Sequence, residues 1–428
     1  MATEGKEVYR LACPEASNCP DMHISYGLPF TESCAKHAEQ TFQAKRVYII
    51  ASTSLYKQTS LVSDLEQALG DRHAKTWIGI RPHTPWDDLV PIINDIRKEE
   101  PDLLVTLGGG SLSDGAKVIV YAVVNGVQTV DDLDRLYQAR AADGTPMRDR
   151  TGVGNEPTLP IVFIPTTLSA GEFSCYGGST NPVTLHKRIM KHPKMFARLV
   201  ILDPRLTLTT PQWVWISSGV RAIDHCVEAL CSNDPLSKEL LQIAERSLTT
   251  LAKNLLLTVK DPAQLQPRLD CAIAAGDIAG NLLLAPQVSV GASHGIGHQL
   301  GPLGVGHGQT SCVMLPAVLR FNRQHSPADS GQAEKQDRVK QAIWNSDPTV
   351  ERILAGEGGL DQDSADASAT VRGLFNALDM PSTLKAVGVD RSHFDALAVN
   401  SLDDVCTAAN PVPLEKEDII KILESVAE

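Results

Sequence analysis

Aromatic residues are scarce in this chain. They make up 5% of its 428 residues, so the core must be built mainly from aliphatic side chains and alanine. Positive charge is also in short supply: 39 lysines and arginines face 51 acidic residues, and the net charge of −12 argues against a nucleic-acid backbone as partner. Small anionic ligands are not excluded, because a local basic or backbone-NH pocket binds them whatever the net charge. No run of 18 apolar residues occurs, so no membrane-spanning helix is expected. The first residues, MATEGKEVYRLACPEASN, lack the apolar core of a secretory signal. The nine cysteines are scattered without a CxxC pair, which leaves no framework for a metal cluster or a disulfide scaffold. Cys13 and Cys19, in an expected loop, are read as free thiols. The expectation is a cytoplasmic globular protein, and the 43% hydrophobic and 21% charged content is ordinary for one.

The first half of the chain alternates short apolar runs with helical patterns. Val47–Ala51 (VYIIA), Thr76–Ile80 (TWIGI), Leu103–Leu107 (LLVTL), Ile161–Pro165 and Leu199–Leu202 read as strands. Between them, Leu55–Leu69 carries apolar residues at helical spacing, and Thr84–Pro85 reads as a helix start, the hydroxyl capping and the proline at the first helical position. That repetition argues for a parallel sheet covered on both faces. The polar stretch from Asp131 to Pro160 reads as a long surface loop. Beyond Asp203, strand signals nearly vanish. Thr210–Pro211 repeats the cap-and-proline start, and helical patterns cover Pro211–Leu230, Ser237–Leu257, Leu269–Leu284 and Ser311–Asn322. Pro327–Asp366 reads as a loop with short helices, followed by late helices at Val371–Leu378, Ser392–Ala398 and Glu415–Val426. The expected organisation is an α/β domain over residues 1–205 and an all-α domain over residues 206–428.

Four stretches carry chemistry. In LLVTLGGGSLSDGAK, three glycines at the end of a strand let the backbone approach a ligand, and Ser111 with the following helix start supplies donors for an anion such as a pyrophosphate. The spacing is not GxGxxG, and a tight glycine turn with no ligand is the alternative. In IPTTLSAGEFS, Thr166, Thr167 and Ser169 follow a strand, where open α/β sheets bind ligands, though a capping turn would look the same. GVRAIDHCVE places Arg221 one helical turn before His225. SHGIGHQLGPLGVGHGQ places His294 and His298 on one helical face with His307 beyond a glycine-rich break; metal binding and proton transfer are the readings.

Together these stretches resemble the iron-containing alcohol dehydrogenase superfamily, which shares its fold with dehydroquinate synthase. The resemblance rests on Gly108-Gly109-Gly110-Ser111 with Asp114 and Lys117, on Pro165-Thr166-Thr167, on Lys187, on Asp203-Pro204 with Leu206-Thr207, and on the three histidines. Within the superfamily the chain looks most like maleylacetate reductase. Gly219 to His225, Thr167 to Glu172, Met380 to Leu384 and Asn410-Pro411-Val412-Pro413 carry that likeness. Val412 stands where that branch has a basic residue, and the chain looks longer near Asp131–Glu156 and Ser326–Ala367.

The resemblance implies a Rossmann-like nucleotide domain and an oxidoreductase that moves hydride between NADH or NADPH and a small keto acid or related carbonyl. Gly108, Gly109, Gly110, Ser111, Asp114, Thr166, Thr167, Ser169 and Lys187 would hold the cofactor. Arg221, His225, His294, His298 and His307 would face the substrate in a cleft between the domains. Metal-dependent members have an aspartate four residues before the helical histidine; here that position is Arg221. A guanidinium repels a dication and removes an oxygen ligand, so no metal is expected, although three histidines alone can hold zinc. Arg221 would instead polarise a ketone or hold a carboxylate, with His298 as proton donor. An internal ion pair with Asp224 or Glu228 is the plainer role for Arg221. The segment Ser52-Thr53-Ser54, with Lys57 nearby, lacks an acid that would repel a 2′-phosphate and leaves the choice of cofactor open. The expected partners are a small molecule and, as an assembly, a homodimer. Two rival readings remain: an isomerase or cyclase using the histidines for acid–base work, and a cofactor-binding protein without activity.

Overall fold

Val47–Ala51, Leu103–Gly108, Ile161–Pro165 and Leu199–Leu202 are apolar runs in which every residue is buried, as strands covered on both faces require. The structure is a computed structural model that describes residues 5–13, 21–141, 154–184, 187–282 and 288–428. It divides into two compact units, Met1–Thr210 and Pro211–Glu428. Cys13, read as a free thiol, is buried, and Cys19 lies outside the described residues.

The first unit contains β1 (Val8–Leu11), β2 (His23–Tyr26), α1 (Phe30–Gln40), β3 (Val47–Ala51), α2 (Thr53–Gln58), α3 (Leu61–Leu69), β4 (His73–Ile78), α4 (Trp86–Glu99), β5 (Leu103–Gly108), α5 (Gly110–Val124), α6 (Val130–Ala141), β6 (Ile161–Pro165), β7 (Tyr176–Thr180), β8 (Lys187–Lys191), β9 (Leu199–Leu202) and α7 (Pro204–Thr207). The main sheet has the order β1-β2-β9-β6-β5-β3-β4. All its pairings are parallel except β1 with β2, and β7 and β8 form a separate antiparallel pair. From β3 the chain goes to β4 on one side and then to β5 on the other. The ends of β3 and β5 therefore flank a topological switch point, where open α/β sheets leave a crevice.

Several local expectations are corrected. Thr84 and Thr210 do not cap. Pro85 and Pro211 are themselves the residues before the first helical turn, so each threonine stands one position too early. Their hydroxyls instead donate to carbonyls of other segments, Thr84 to Ser111 in the first turn of α5 at 3.2 Å and Thr210 to Thr166 in the loop after β6 at 2.8 Å. The expected helix Leu55–Leu69 is broken into α2 and α3 because Thr59 turns extended and its own hydroxyl takes the Leu55 carbonyl. Part of the expected loop Asp131–Pro160 is the helix α6. Its polar composition hides an i, i+4 pair, Leu133 and Tyr137, that is buried, and Thr129 and Asp132 cap it reciprocally. Residues 142–153 of that stretch lie outside the described residues.

Sequence reading also missed the N-terminal strands. They are held by Glu7, which accepts hydrogen bonds from Ser25 (2.6 Å), His37 (2.7 Å) and Lys36. Burial works against the Glu7 charge, but these partners outweigh it and hold the carboxyl down at about 2. A depressed carboxylate stabilises the fold above its unfolded pKa and loses that contribution as pH falls through the folded value. Glu7→Gln should therefore lower stability near neutrality by on the order of 1–3 kcal/mol. The gap in melting temperature should close as pH falls from about 4.5 towards about 2. A constant gap across that window would assign the loss to packing.

The second unit is helical, with α8 (Gln212–Cys231), α9 (Lys238–Lys260), α10 (Leu265–Leu282), α11 (Ala292–Leu300), α12 (His307–His325), α13 (Gln332–Trp344), α14 (Pro348–Arg352), α15 (Ala367–Ala377), α16 (Phe394–Leu402), α17 (Val405–Ala408) and α18 (Lys416–Glu424). Ile296, Leu300, Val313 and Met314 join Phe394, Leu397, Ile419 and Ile422 in one buried cluster. That cluster fixes α11 and α12 beside the C-terminal helices. α13 fills much of the expected loop Pro327–Asp366; Val339 and Ile343 give it a buried face. Among the described residues no helix is long and apolar enough to cross a membrane.

Candidate functional site

Two groups of the singled-out residues form, one in each unit. In the first unit, Gly108 ends β5 and α5 begins at Gly110, so the first-turn amides of a 15-residue helix open at the switch point. Thr166 donates its amide to the Gly108 carbonyl at 3.1 Å. This seats the segment Thr166–Ser169 over the glycines. A Cβ on Gly110 would lie 3.1 Å from Ser169 Oγ, while one on Gly109 would meet Thr167 Cγ2 at 3.4 Å, an ordinary contact. At Gly109 the protein itself leaves room for a side chain. Beside this cradle lies a cavity of about 650 Å³ lined in part by Ser52, Thr53, Ser54, Gly79, Arg81 and Leu112. Arg81 is already paired with Asp87 and Asp88 there.

Asp114 and Lys187 both reach over Gly178 of β7: a Cβ there would be 3.1 Å from Asp114 Oδ2 and 3.2 Å from Lys187 Nζ. Lys117 belongs to the scaffold. It is fully buried and donates to the Gly171 carbonyl at 2.8 Å and to Ser174 Oγ at 3.2 Å, clamping the loop after β6 to α5.

In the second unit the four histidines form a row. Ring centroids are 4.7 Å apart for His225 and His294, 6.3 Å for His294 and His298, and 6.2 Å for His298 and His307. α8 carries His225, α11 carries His294 and His298, and His307 begins α12. Two glycines inside α11 make this possible. A Cβ on Gly295 would lie 2.0 Å from Thr407 Oγ1, and one on Gly297 would lie 2.9 Å from Thr310 Oγ1. Each glycine costs the helix about 1 kcal/mol relative to alanine, and each is spent on letting a neighbouring helix approach.

Arg221 is 3% exposed. Its Nη1 donates to Ser311 Oγ at 2.9 Å and lies 3.5 Å from Asp224 Oδ2, and its Nε is buried without a partner. The ion pair is thus real but loose, bridged by Ser311, which donates in turn to Asp224 at 2.5 Å. Ser293 also donates to Asp224, at 3.1 Å. Glu228 accepts from the amides of Gly291 (2.9 Å) and Ser293 (2.8 Å) and stands 2.6 Å from His294 Nδ1. With Nδ1–H donating to that carboxyl, His294 Nε2 carries the lone pair, and it is buried without a partner, as is His225 Nδ1.

Burial, then the Arg221 charge, push His225 down to about 3 and His294 well below the usual histidine value. Burial pushes Asp224 up to about 6 against the pull of Arg221 and the two serines, and pushes Glu228 up as well. The arrangement is a fixed cation beside two neutral imidazoles. It can hold a carboxylate or polarise a carbonyl oxygen.

Among the described residues, two groups gather three metal-type donor atoms within 4.8 Å: Asp224, Glu228 and His294, and His298, Asp404 and Cys406. Neither includes His225 or His307. Sequence reading did not single out Ser293, Ser311, Asp404 or Cys406, which lie far from the histidines along the chain or look like ordinary helix residues.

Comparison with known proteins places these units. The model of the iron-containing alcohol dehydrogenase family matches residues 28–204, and that of the C-terminal part of the Fe-containing alcohol dehydrogenase family matches residues 215–427. Dehydrogenase FUM7 of Gibberella moniliformis is 38% identical over 418 residues, covering 95% of this chain and 96% of its own length. Dehydrogenase ALT3 of Alternaria alternata is 35% identical over 398 residues, covering 90% and 99%. The maleylacetate reductase of Burkholderia cepacia is 30% identical over 283 residues, covering 64% and 70%. Among solved structures, the alcohol dehydrogenase from Oenococcus oeni superposes with a TM-score of 0.75 at 22% identity, covering 92% of this chain and 96% of that one. Sulfoacetaldehyde reductase from Bifidobacterium kashiwanohense in complex with NAD+ gives 0.74 at 18%, covering 98% and 99%. The chain belongs to the iron-containing alcohol dehydrogenase family, a family of oxidoreductases.

Proposed function

We propose that the protein is a nicotinamide-dependent carbonyl reductase, working without a metal on a small keto acid or related carbonyl. The observation that carries this reading is Arg221, a buried guanidinium set against His225 and His294 at the position where metal-dependent relatives have an aspartate. The donor set does not suit a divalent ion there. A guanidinium only donates hydrogen bonds and cannot coordinate. The carboxyls of Asp224 and Glu228 already accept from Ser293, Ser311, two backbone amides and His294. Asp224 Oδ1, His225 Nδ1 and His294 Nε2 are buried without partners, but the fixed Arg221 charge, 3.5 Å from Asp224 Oδ2, opposes a dication among them. No step therefore runs through a metal.

The first unit suits a dinucleotide. The amides at the start of α5 and the hydroxyls of Ser111, Thr166, Thr167 and Ser169 offer donors to a pyrophosphate, and the room at Gly109 allows close approach. The cavity at Ser52–Ser54 accepts the adenosine end of NADH or NADPH, with Asp114 and Lys187 as further contacts. The NAD+ complex of sulfoacetaldehyde reductase supports the cofactor class, and the maleylacetate reductase of Burkholderia cepacia supports a keto-acid substrate.

Bound nicotinamide supplies the hydride to the carbonyl carbon. Arg221 draws charge towards the carbonyl oxygen or anchors the substrate carboxylate. His225 and His294, held neutral, line the site as hydrogen-bonding groups. His298, with His307 beside it, gives a proton to the alkoxide oxygen and regains one from water.

The test is to add NADH and NADPH to the purified protein and follow nucleotide fluorescence, then absorbance loss across a set of keto acids with and without a chelator. At least one nucleotide should bind, turnover should survive chelation, and elemental analysis should find well under one metal ion per chain. Failure of both nucleotides to bind sinks the proposal. Binding without turnover favours a non-redox enzyme on this fold. About one bound zinc or iron per chain, with activity lost on its removal, overturns the metal-independent part.

A further inference from the structure

We propose that Asp404 is the positioning residue for His298, holding its ring so that Nε2 delivers the proton to the developing alkoxide. This rests on the reading of His298 as donor and extends it to a residue 106 positions away in the chain.

Asp404 precedes the short helix α17 and does two jobs there. Its Oδ1 accepts the Cys406 amide at 2.9 Å, and its Oδ2 lies 2.9 Å from His298 Nδ1. The Cys406 Sγ lies within 4.8 Å of the same carboxylate. Burial opposes the Asp404 charge, but the hydrogen bond and charge of His298 and the Cys406 donors outweigh it and keep the carboxyl below its usual range. An ionised carboxylate only accepts, so Nδ1 of His298 must be the N–H donor. That fixes the tautomer: the neutral ring has its lone pair on Nε2, and the charged ring has its transferable proton there. The same carboxylate stabilises positive charge on the ring before transfer.

The backbone is shaped for this contact. Gly295 lies between His294 and His298, and a Cβ there would run into the Thr407 hydroxyl at 2.0 Å and the Thr407 amide at 2.7 Å. Only without a side chain at Gly295 does α17 lie close enough for Asp404 to reach His298. The remaining donors are consistent with a role in setting geometry. Burial pushes the Cys406 thiol well up, with Asp404 adding to it, so Cys406 stays protonated and is a poor nucleophile. Arg221 Nη1 is taken by Ser311, and His298 Nδ1 is 2.9 Å from Asp404 Oδ2.

Asp404→Asn keeps the helix cap, because asparagine caps as well as aspartate. It replaces one acceptor oxygen with an NH2 group. We expect kcat to fall roughly ten- to a hundredfold, as when the partner orienting a histidine is removed. Nucleotide affinity should be unchanged and KM should move by less than about threefold. The solvent deuterium isotope effect on kcat should rise as proton transfer becomes limiting. In histidine-labelled protein, the 15N signals of the neutral His298 ring should shift from one tautomer to a mixture. Asp404→Glu, which keeps the charge, should recover part of the rate.

If His298→Ala loses turnover and Asp404→Asn keeps wild-type kcat with one fixed tautomer, the inference is overturned while the donor assignment stands. If His298→Ala is itself active, the donor assignment has failed first. A fall in melting temperature with no change in kcat assigns Asp404 to α17 alone and overturns the positioning role.

Discussion

Arg221→Lys should fold and reduce carbonyl substrates at least about a hundredfold more slowly than the wild type, the scale of losing one preorganised donor to a developing oxyanion. The argument is geometric. The guanidinium is planar and reaches Ser311 through Nη1 while Nε stays buried and unpartnered, so one edge of the fork is engaged and another is left over. A lysine ammonium can neutralise Asp224 but cannot present that second edge. Arg221→Ala differs in kind. It strips the cation from beside Asp224 and Glu228 in a buried site, and breaking a buried pair costs about 3–5 kcal/mol. Its loss of activity would therefore be hard to separate from loss of fold. The decisive measurement is kcat/KM for Arg221→Lys beside its melting curve. A folded lysine variant with wild-type kcat/KM would reduce Arg221 to an internal ion pair with Asp224. If Arg221 anchors a substrate carboxylate, KM should carry most of the loss; if it polarises the carbonyl, kcat should.

The buried strands were legible because strands covered on both faces leave continuous apolar runs, as in VYIIA and LLVTL. β1 and β2 were not. They are four residues each, half-buried in part, and held as much by Glu7 reaching Ser25 and His37 as by apolar pattern. Helix starts misled at Thr84 and Thr210, since a threonine before proline looks like a cap whether it caps the helix or ties down another segment. The row of histidines was legible as a density of one residue type. What holds that row was not: Asp404 meets His298 only through the fold, and Ser311 meets Arg221 across 90 positions. The glycines of α11 were the overlooked clue. Two helix-breaking residues within a nine-residue helix need a reason, and here the reason is close approach of α17 and α12.

His298→Ala should lower turnover by roughly two to four powers of ten, the range for losing an acid–base group. Carbonyl reduction leaves an alkoxide that must gain a proton. Of the four histidines, His225 and His294 are held neutral by burial and by Arg221, and His294 has its Nδ1 tied to Glu228. A neutral ring beside a fixed cation is a poor source of protons. His298 is only partly buried, with 24% of its side chain exposed, and is the one whose Nδ1 meets the Asp404 carboxylate. It has both a counter-charge and a route to solvent for reloading. Nucleotide affinity should be unaffected, because the residues proposed to hold the pyrophosphate lie in the other unit. The competing account is that His298 only packs α11 and satisfies Asp404. Removing it would then leave a buried carboxylate short of a donor, at a cost of about 1–3 kcal/mol, and show as a lower melting temperature. His298→Gln separates the two, since its amide donates a hydrogen bond but cannot transfer a proton. Single-turnover kinetics should find the glutamine variant as slow as the alanine variant, even if its melting curve recovers. A glutamine variant that turns over at the wild-type rate would remove His298 from the chemistry and pass the donor role to His307, its neighbour in the row at 6.2 Å.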